Sequence, residues 1–369
     1  MIHKRKPRIR TAALLLSVLM LALAGCSAAS DPAADATGTV TGPEAEYNPE
    51  LTRYQASFLG LFDTVTVIVG YASSEEAFEA DAHAFRDLLS EYNELYDIYN
   101  DYDGVNNIKT INDNAGGDPV EVDQRIIDLL LFCRDMYERT EGKTNVMLGS
   151  VLSIWHDARE YGIENPLDSY LPEQDELEDA NEHTAFDAMV IDDENNTVQI
   201  TDPLASLDVG AVAKGYAVQR VCETMPEGLL VSVGGNVCAT GPRPTDGSAW
   251  RVGVQDPDGG VEDYVALLDI SGGCLVTSGD YQRYYTVDGV RYHHIIDPDT
   301  LWPPTLWRAV SIVCDDSGVA DALSTALFCM DQESGQKLLD EFGAEALWIA
   351  LDGSLIYSPG MGEYVEEDA

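Results

Sequence analysis

Apolar and polar positions alternate over residues 58–71 with the two-residue period of a strand. Immediately afterwards Ser73 and Glu76 form a capping-box pattern. Phe78, Ala82, Phe85, Leu88, Leu89, Tyr92, Leu95, Tyr96 and Tyr99 then recur at helical spacing, which predicts a long amphipathic helix. Asp123 is placed to cap a second helix through Leu129, Leu130, Cys133 and Tyr137, stopping near Gly142. Shorter helices are predicted over 148–159 and 173–180.

From residue 188 onward the pattern turns to strands. Residues 188–192 and 197–200 flank the turn Glu194-Asn195-Asn196 and read as a hairpin. A helix is predicted over 212–225. Strands follow near 229–233, 250–254, 264–270, 283–287, 291–296 and 309–313, then helices from Val319 and over 332–342. A hairpin about Asp352-Gly353 closes the chain. Helices grouped with a mainly antiparallel sheet core give an α+β fold, as one large domain over 53–362 or as two fused halves. The acidic stretch 363–369 is expected to be a disordered tail.

Composition changes the picture at the N-terminus. Lys4, Arg5, Lys6, Arg8 and Arg10 precede about a dozen apolar residues, too few to span a bilayer, and Leu23-Ala24-Gly25-Cys26 ends the run. The pattern resembles a bacterial lipoprotein signal: residues 1–25 are removed, Cys26 is lipidated and 27–52 form a flexible tether poor in large apolar groups. This predicts a lipid-anchored protein on the extracytoplasmic face of the cell membrane. Loss of 1–25 removes five basic groups and no acid, moving the formal charge from −44 to −49. So acidic a surface excludes nucleic acid as a partner, and membrane attachment must come from the lipid. Cys133, Cys222, Cys238, Cys274, Cys314 and Cys329 show no paired spacing and sit in apolar contexts, which reads as buried free thiols.

The candidate chemistry starts at residues 207–218, LDVGAVAKGYAV. A strand end carrying Asp208, a turn at Gly210 and a helix opening with Lys214 and Gly215 can hold a phosphate, because free amides and the dipole at a helix start attract anions. The same spacing also suits an ordinary strand–turn–helix with a solvated lysine. Further along, Asp321, Ser324 and Thr325 share one helix face at i, i+3 and i+4. An aspartate with hydroxyls offers the oxygen ligands a hard cation prefers; alternatively, Asp321 only favours a helix start while the hydroxyls bond back to carbonyls. Gly234-Gly235 before Asn236 suits a bend with close approach to a ligand or a neighbouring strand, and Thr277-Ser278-Gly279 can line a bound ligand; both are read first as structural.

Taken in order, LDVGAVAKGYAV, LLVSVGGN, VTSGDYQRYY, HHIIDPDT and VADALSTAL resemble the ApbE family, FAD:protein FMN transferases once described as thiamine-biosynthesis lipoproteins. The resemblance spans about 58–357. It implies FAD as substrate and a divalent cation, Mg²⁺ with Mn²⁺ as the alternative, on Asp321, Thr325 and the Ala211 carbonyl. Ser324 stands where some members carry a second aspartate. It implies flavin-dinucleotide contacts at Asp208, Lys214, His294, Tyr99 and Phe62, and at Lys143, Thr144 and Asn145, where the family often reads TGGAFD. Leu301 replaces the usual glycine after DPxT. The implied reaction moves FMN onto a Ser or Thr hydroxyl of an acceptor flavoprotein and releases AMP. His294 and Asp208 are the candidate bases. Two alternatives are a Mg²⁺-dependent FAD pyrophosphatase and a non-catalytic, lipid-anchored flavin-binding protein.

Overall fold

The structure, a computed structural model, describes residues 47–260 and 263–365. The expected signal segment, Cys26 and most of the expected tether lie outside the described residues, as do 366–369.

The opening alternation makes two strands, β1 (Thr52–Leu61) and β2 (Thr64–Ala72), where the pattern predicts one. Phe62 and Asp63 between them both take positive φ, 49° and 54°, the backbone of a two-residue hairpin turn. Such turns usually carry Asn-Gly or Asp-Gly, so Phe-Asp gives no turn signal. Helix α1 (Glu75–Tyr96) is capped by Ser74, one residue later than predicted, its hydroxyl accepting from the Ala77 amide. It ends before Asp97, so Tyr99 lies beyond the helix.

Asn107 caps a short α2 (Ile108–Asp113) that the sequence pattern does not signal. After β3 (Val120–Glu121), Asp123 caps α3 (Gln124–Arg139) as expected. Next come α4 (Gly149–Glu164), α5 (Gln174–Asn181), the hairpin β4 (Met189–Asp192) and β5 (Thr197–Ile200), and α6 (Ala213–Cys222). The second half runs β6 (Leu229–Val233), β7 (Asn236–Ala239), β8 (Trp250–Gln255), β9 (Tyr264–Ile270) and β10 (Gly273–Gly279). It continues through β11 (Tyr284–Val287), β12 (Val290–His293), β13 (Trp307–Cys314) and α7 (Ser317–Phe328). The chain closes with α8 (Gln332–Phe342), β14 (Glu345–Ala350) and β15 (Leu355–Tyr357).

Eight of these strands form one antiparallel sheet ordered β1-β2-β6-β7-β10-β13-β14-β15. Both of its faces are buried. Ile68, Val231, Val276, Ile312 and Trp348 point into the core shared with α1, α3, α6 and α7. Their neighbours Val67, Leu230, Leu275, Val313 and Leu347 point into a second core closed by the β8–β9 ribbon. Burial on two sides removes the polar alternation, which is why β7 and β10 carry no readable strand period. A third cluster, built on Trp155, Tyr285 and Leu301, joins α4 to the β11–β12 hairpin.

The structure departs from the sequence pattern at two cysteines and at the C-terminal stretch. Cys238 and Cys274 are disulfide-bonded, not free thiols. They sit directly opposite each other on β7 and β10, a pairing that a sequence separation of 36 hides. Cys133, Cys222, Cys314 and Cys329 are free. The chain also stays ordered past residue 362: the Asp269 amide donates to the Tyr364 carbonyl, and Val365 bridges Leu268.

Candidate active site

The Asp208 turn, the start of α6 and the first turns of α7 meet beside the β6–β7 turn. Gly215 makes the meeting possible. A Cβ there would come within 2.3 Å of the Ser317 carbonyl and 2.5 Å of the Asp321 Cβ, so α6 and α7 touch backbone to backbone. At that crossing the Gly215 amide donates to the Asp321 carboxylate at 2.7 Å, and the Lys214 ammonium lies 3.6 Å from its other oxygen. The lysine and the acid-bearing helix face, 107 residues apart in sequence, therefore share one site.

This contact has a consequence for the cation expected from sequence. Ala211 precedes the Val212 cap of α6, and the Gly215 amide is one of the first-turn donors that the helix itself leaves without a partner. It is spent on Asp321. Thr325, on the same face as Asp321, is half-buried, and its hydroxyl makes no hydrogen bond among the described residues. One carboxylate, one carbonyl and one free hydroxyl suit a hard, oxygen-seeking cation with room left for water and phosphate. The fit is of that open kind: no group of three His, Cys, Asp or Glu side chains converges among the described residues. Ser324 does not join the set. It is fully buried, donates to the Asp321 carbonyl at 2.9 Å and shares a 2.8 Å hydrogen bond with Ser278.

Asn236, which the sequence marks only as following a glycine bend and gives no role of its own, lies at the site. Gly234 and Gly235 both take positive φ, and a Cβ on Gly234 would lie 2.5 Å from the Thr64 hydroxyl. That tight turn delivers the Asn236 side-chain oxygen to the Lys214 ammonium. Asn236 is fully buried and its amide nitrogen has no partner. A buried unpaired donor costs stability unless something else meets it, which marks a position for a ligand oxygen. Burial and the nearby Arg283 push the Lys214 ammonium below its usual range, against the opposing pull of Asp321.

The other sequence candidates divide between this site and the scaffold. The Asp208 carboxylate accepts from the Gly210 amide at 2.9 Å and is half-buried. Tyr99 stacks on His156 at 5.4 Å, and burial, with Asp208 nearby, pushes its hydroxyl up to about 12. His294 donates its amide to the Arg283 carbonyl at 3.0 Å, while its ring Nδ1 is buried and unpartnered. Burial, then the positive charges of Arg283 and Arg159, hold its imidazole well below the usual histidine range, so it is neutral at neutral pH. Phe62 packs in the β1–β2 turn against the helix-side core, its amide fixed by the Asn93 side chain at 2.7 Å.

Lys143, Thr144 and Asn145 are tied into the protein. Lys143 bridges Asp297 and Asp299 at 2.7 and 2.8 Å. Thr144 is buried, its hydroxyl donating to the Ala322 carbonyl at 3.0 Å. The Asn145 side chain accepts from the Met147 amide and donates to the Thr184 carbonyl. The segment thus straps the end of α3 to α7 and to the loop after His294. Thr277 likewise bonds Ser311 within the sheet. A shallow surface depression lined by Gln332, Lys337 and Tyr357 involves none of these groups.

Comparison with known proteins gives one answer at every level. Residues 61–348 match the model of the ApbE family. A FAD:protein FMN transferase of Treponema pallidum is 33% identical over 276 residues, covering 70% of this chain and 74% of its own. One from Klebsiella pneumoniae is 27% identical over 349 residues, covering 92% of both chains. The crystal structure of the ApbE protein from Thermotoga maritima superposes with a TM-score of 0.75 at 29% identity, over 86% of this chain and 100% of that one.

Proposed function

The chain belongs to the ApbE family, and from that membership we propose that it transfers the FMN moiety of FAD to a hydroxyl of an acceptor flavoprotein. The acceptor Ser or Thr oxygen bonds to the phosphorus on the flavin side. The bond from that phosphorus to the bridging oxygen breaks, AMP leaves with the electron pair, and the hydroxyl proton passes to solvent.

The observation that carries this reading is the meeting of Lys214 and Asp321 at the α6–α7 crossing, just after Ala211. Asp321, Thr325 and the Ala211 carbonyl are the residues to hold a divalent cation, Mg²⁺ or Mn²⁺. When bound it neutralises charge on the diphosphate. The protein's own part is positioning. The Gly215 amide orients Asp321, and Asn236 holds Lys214 where it meets an anionic oxygen. Fixed charges of this kind favour the charge that develops on the leaving phosphate. Neutral His294 keeps an unpaired ring nitrogen for a hydroxyl or the flavin.

We also place the enzyme on the extracytoplasmic face of the membrane, held by lipid on Cys26. The support is the basic, apolar and small-residue order of residues 1–26. Incubation with FAD, Mg²⁺ and an acceptor domain tests the activity. Flavin fluorescence retained on the acceptor in a denaturing gel is the expected result. Free FMN released at the same rate with or without acceptor would instead identify a pyrophosphatase, and FAD bound but uncleaved a binding protein.

A further inference from the structure

A dianionic dinucleotide approaching this chain meets a formal charge of −44, so the site itself must reverse the sign. Lys214 is ill placed to do so alone, since Asn236 and Asp321 already engage it. Arg283 is close enough to act on Lys214, and Arg159 lies next in line, close enough to Arg283 and His294 to act with it. Helix α4 packs on β11 so closely that a Cβ on Gly162 would lie 2.6 Å from the Tyr285 ring. Arg159 lies one turn before Gly162 and Arg283 two residues before Tyr285, near enough for their charges to repel. Arg159 is anchored by a 2.8 Å hydrogen bond to His156, the ring on which Tyr99 stacks. Arg283 is held through its carbonyl by the His294 amide, and its exposed guanidinium has no carboxylate partner among the described residues.

These groups feel one another. Arg283 repels Arg159, His294 and Lys214, and Asp208 acts on both Tyr99 and Arg159. Cations gathered in one cleft repel one another, and such a cleft attracts an anion. Without the arginines, the carboxylates of Asp208, Asp321 and Glu160 face Lys214 alone. With them the group is neutral before any divalent cation arrives.

We propose that Arg159 and Arg283 form a second cationic wall that recognises the diphosphate of the dinucleotide substrate and sets its affinity. This rests on the flavin-dinucleotide reading above and adds to it the residues that overcome the protein's acidity. The pair acts through charge, so its contribution weakens as salt rises and is absent for a neutral flavin.

The test is binding of FAD and of riboflavin to the Mg²⁺-loaded protein by flavin fluorescence, at low and high ionic strength. Wild type is compared with R159Q/R283Q and R159K/R283K. The Gln pair is expected to weaken FAD binding about tenfold or more at low salt and to flatten its salt dependence, with riboflavin unchanged. The Lys pair keeps both charges and restores most of the FAD affinity. The inference is overturned if the Gln pair binds FAD like wild type, or if riboflavin and FAD weaken equally in both variants. Wild type that binds no FAD at all would sink the flavin reading itself.

Discussion

At the scale of single residues, the site depends on which polar groups are spent within the protein and which are kept. Ser324 and Thr144 spend their hydroxyls on carbonyls of α7, whereas Asn236 keeps an unpaired donor beside Lys214. Asn236→Ala leaves Lys214 with Asp321 alone and frees it to swing. We expect kcat/KM for FAD to fall about tenfold, equivalent to roughly 1.4 kcal/mol of transition-state stabilisation. Steady-state kinetics at saturating Mg²⁺ checks this, and unchanged kinetics would return Asn236 to a purely structural role. The meeting of Lys214 with Asp321 was legible in the sequence because motif order tied distant segments together. Asn236 was not, since a residue after Gly-Gly has the same appearance whether it turns a chain or holds a lysine. Arg159 and Arg283 were equally silent: an arginine on a helix or strand end gains meaning only from its neighbours in space.

At the scale of elements, the α6–α7 crossing does most to build the site. Gly215→Ala must push the Ser317 carbonyl or the Asp321 side chain away, and neither is a flexible tip. Overpacking of this kind costs about 1–3 kcal/mol. Urea unfolding is expected to show that loss together with a fall in turnover; full stability and activity would mean the helices can separate freely. The β7–β10 disulfide is the other fixed joint, lying two residues from Asn236 and three from Thr277. Closing a loop with a sequence separation of 36 stabilises by roughly 3–4 kcal/mol on the chain-entropy model. A Cys238→Ala/Cys274→Ala variant should therefore unfold at lower urea, and the wild type should shift similarly under strong reductant. Equal midpoints with and without reductant would show that no bond is present. Helices with strong caps and clean amphipathic faces were readable from the sequence, as α1 and α3 show. The inner strands were harder, because a sheet buried on both faces erases the alternation that reveals an outer one.

At the scale of the whole molecule, acidity and burial set the response to pH. His293 and His294 are both held below the usual histidine value of 6.5, chiefly by burial. Above that value both are neutral, folded or unfolded, and stability does not depend on them. As pH falls below it the unfolded chain takes up protons that the folded one refuses. Stability therefore drops on acidification, by up to about 1.4 kcal/mol per pH unit for each histidine. His294→Asn should halve that slope between pH 6.5 and 5, measured by urea midpoints; an unaltered slope would show that His294 titrates normally when folded.

In the proposed reaction a lysine-bearing helix start and a distant aspartate work on one dinucleotide to move FMN onto protein. Mass spectrometry of an acceptor domain co-expressed with this chain tests it most directly. With the wild type, FMN should be found phosphoester-linked to a Ser or Thr of the acceptor; with Asp321→Ala the modification should be absent although the variant is folded. An unmodified acceptor beside the wild type, or equal modification by both, would contradict the account.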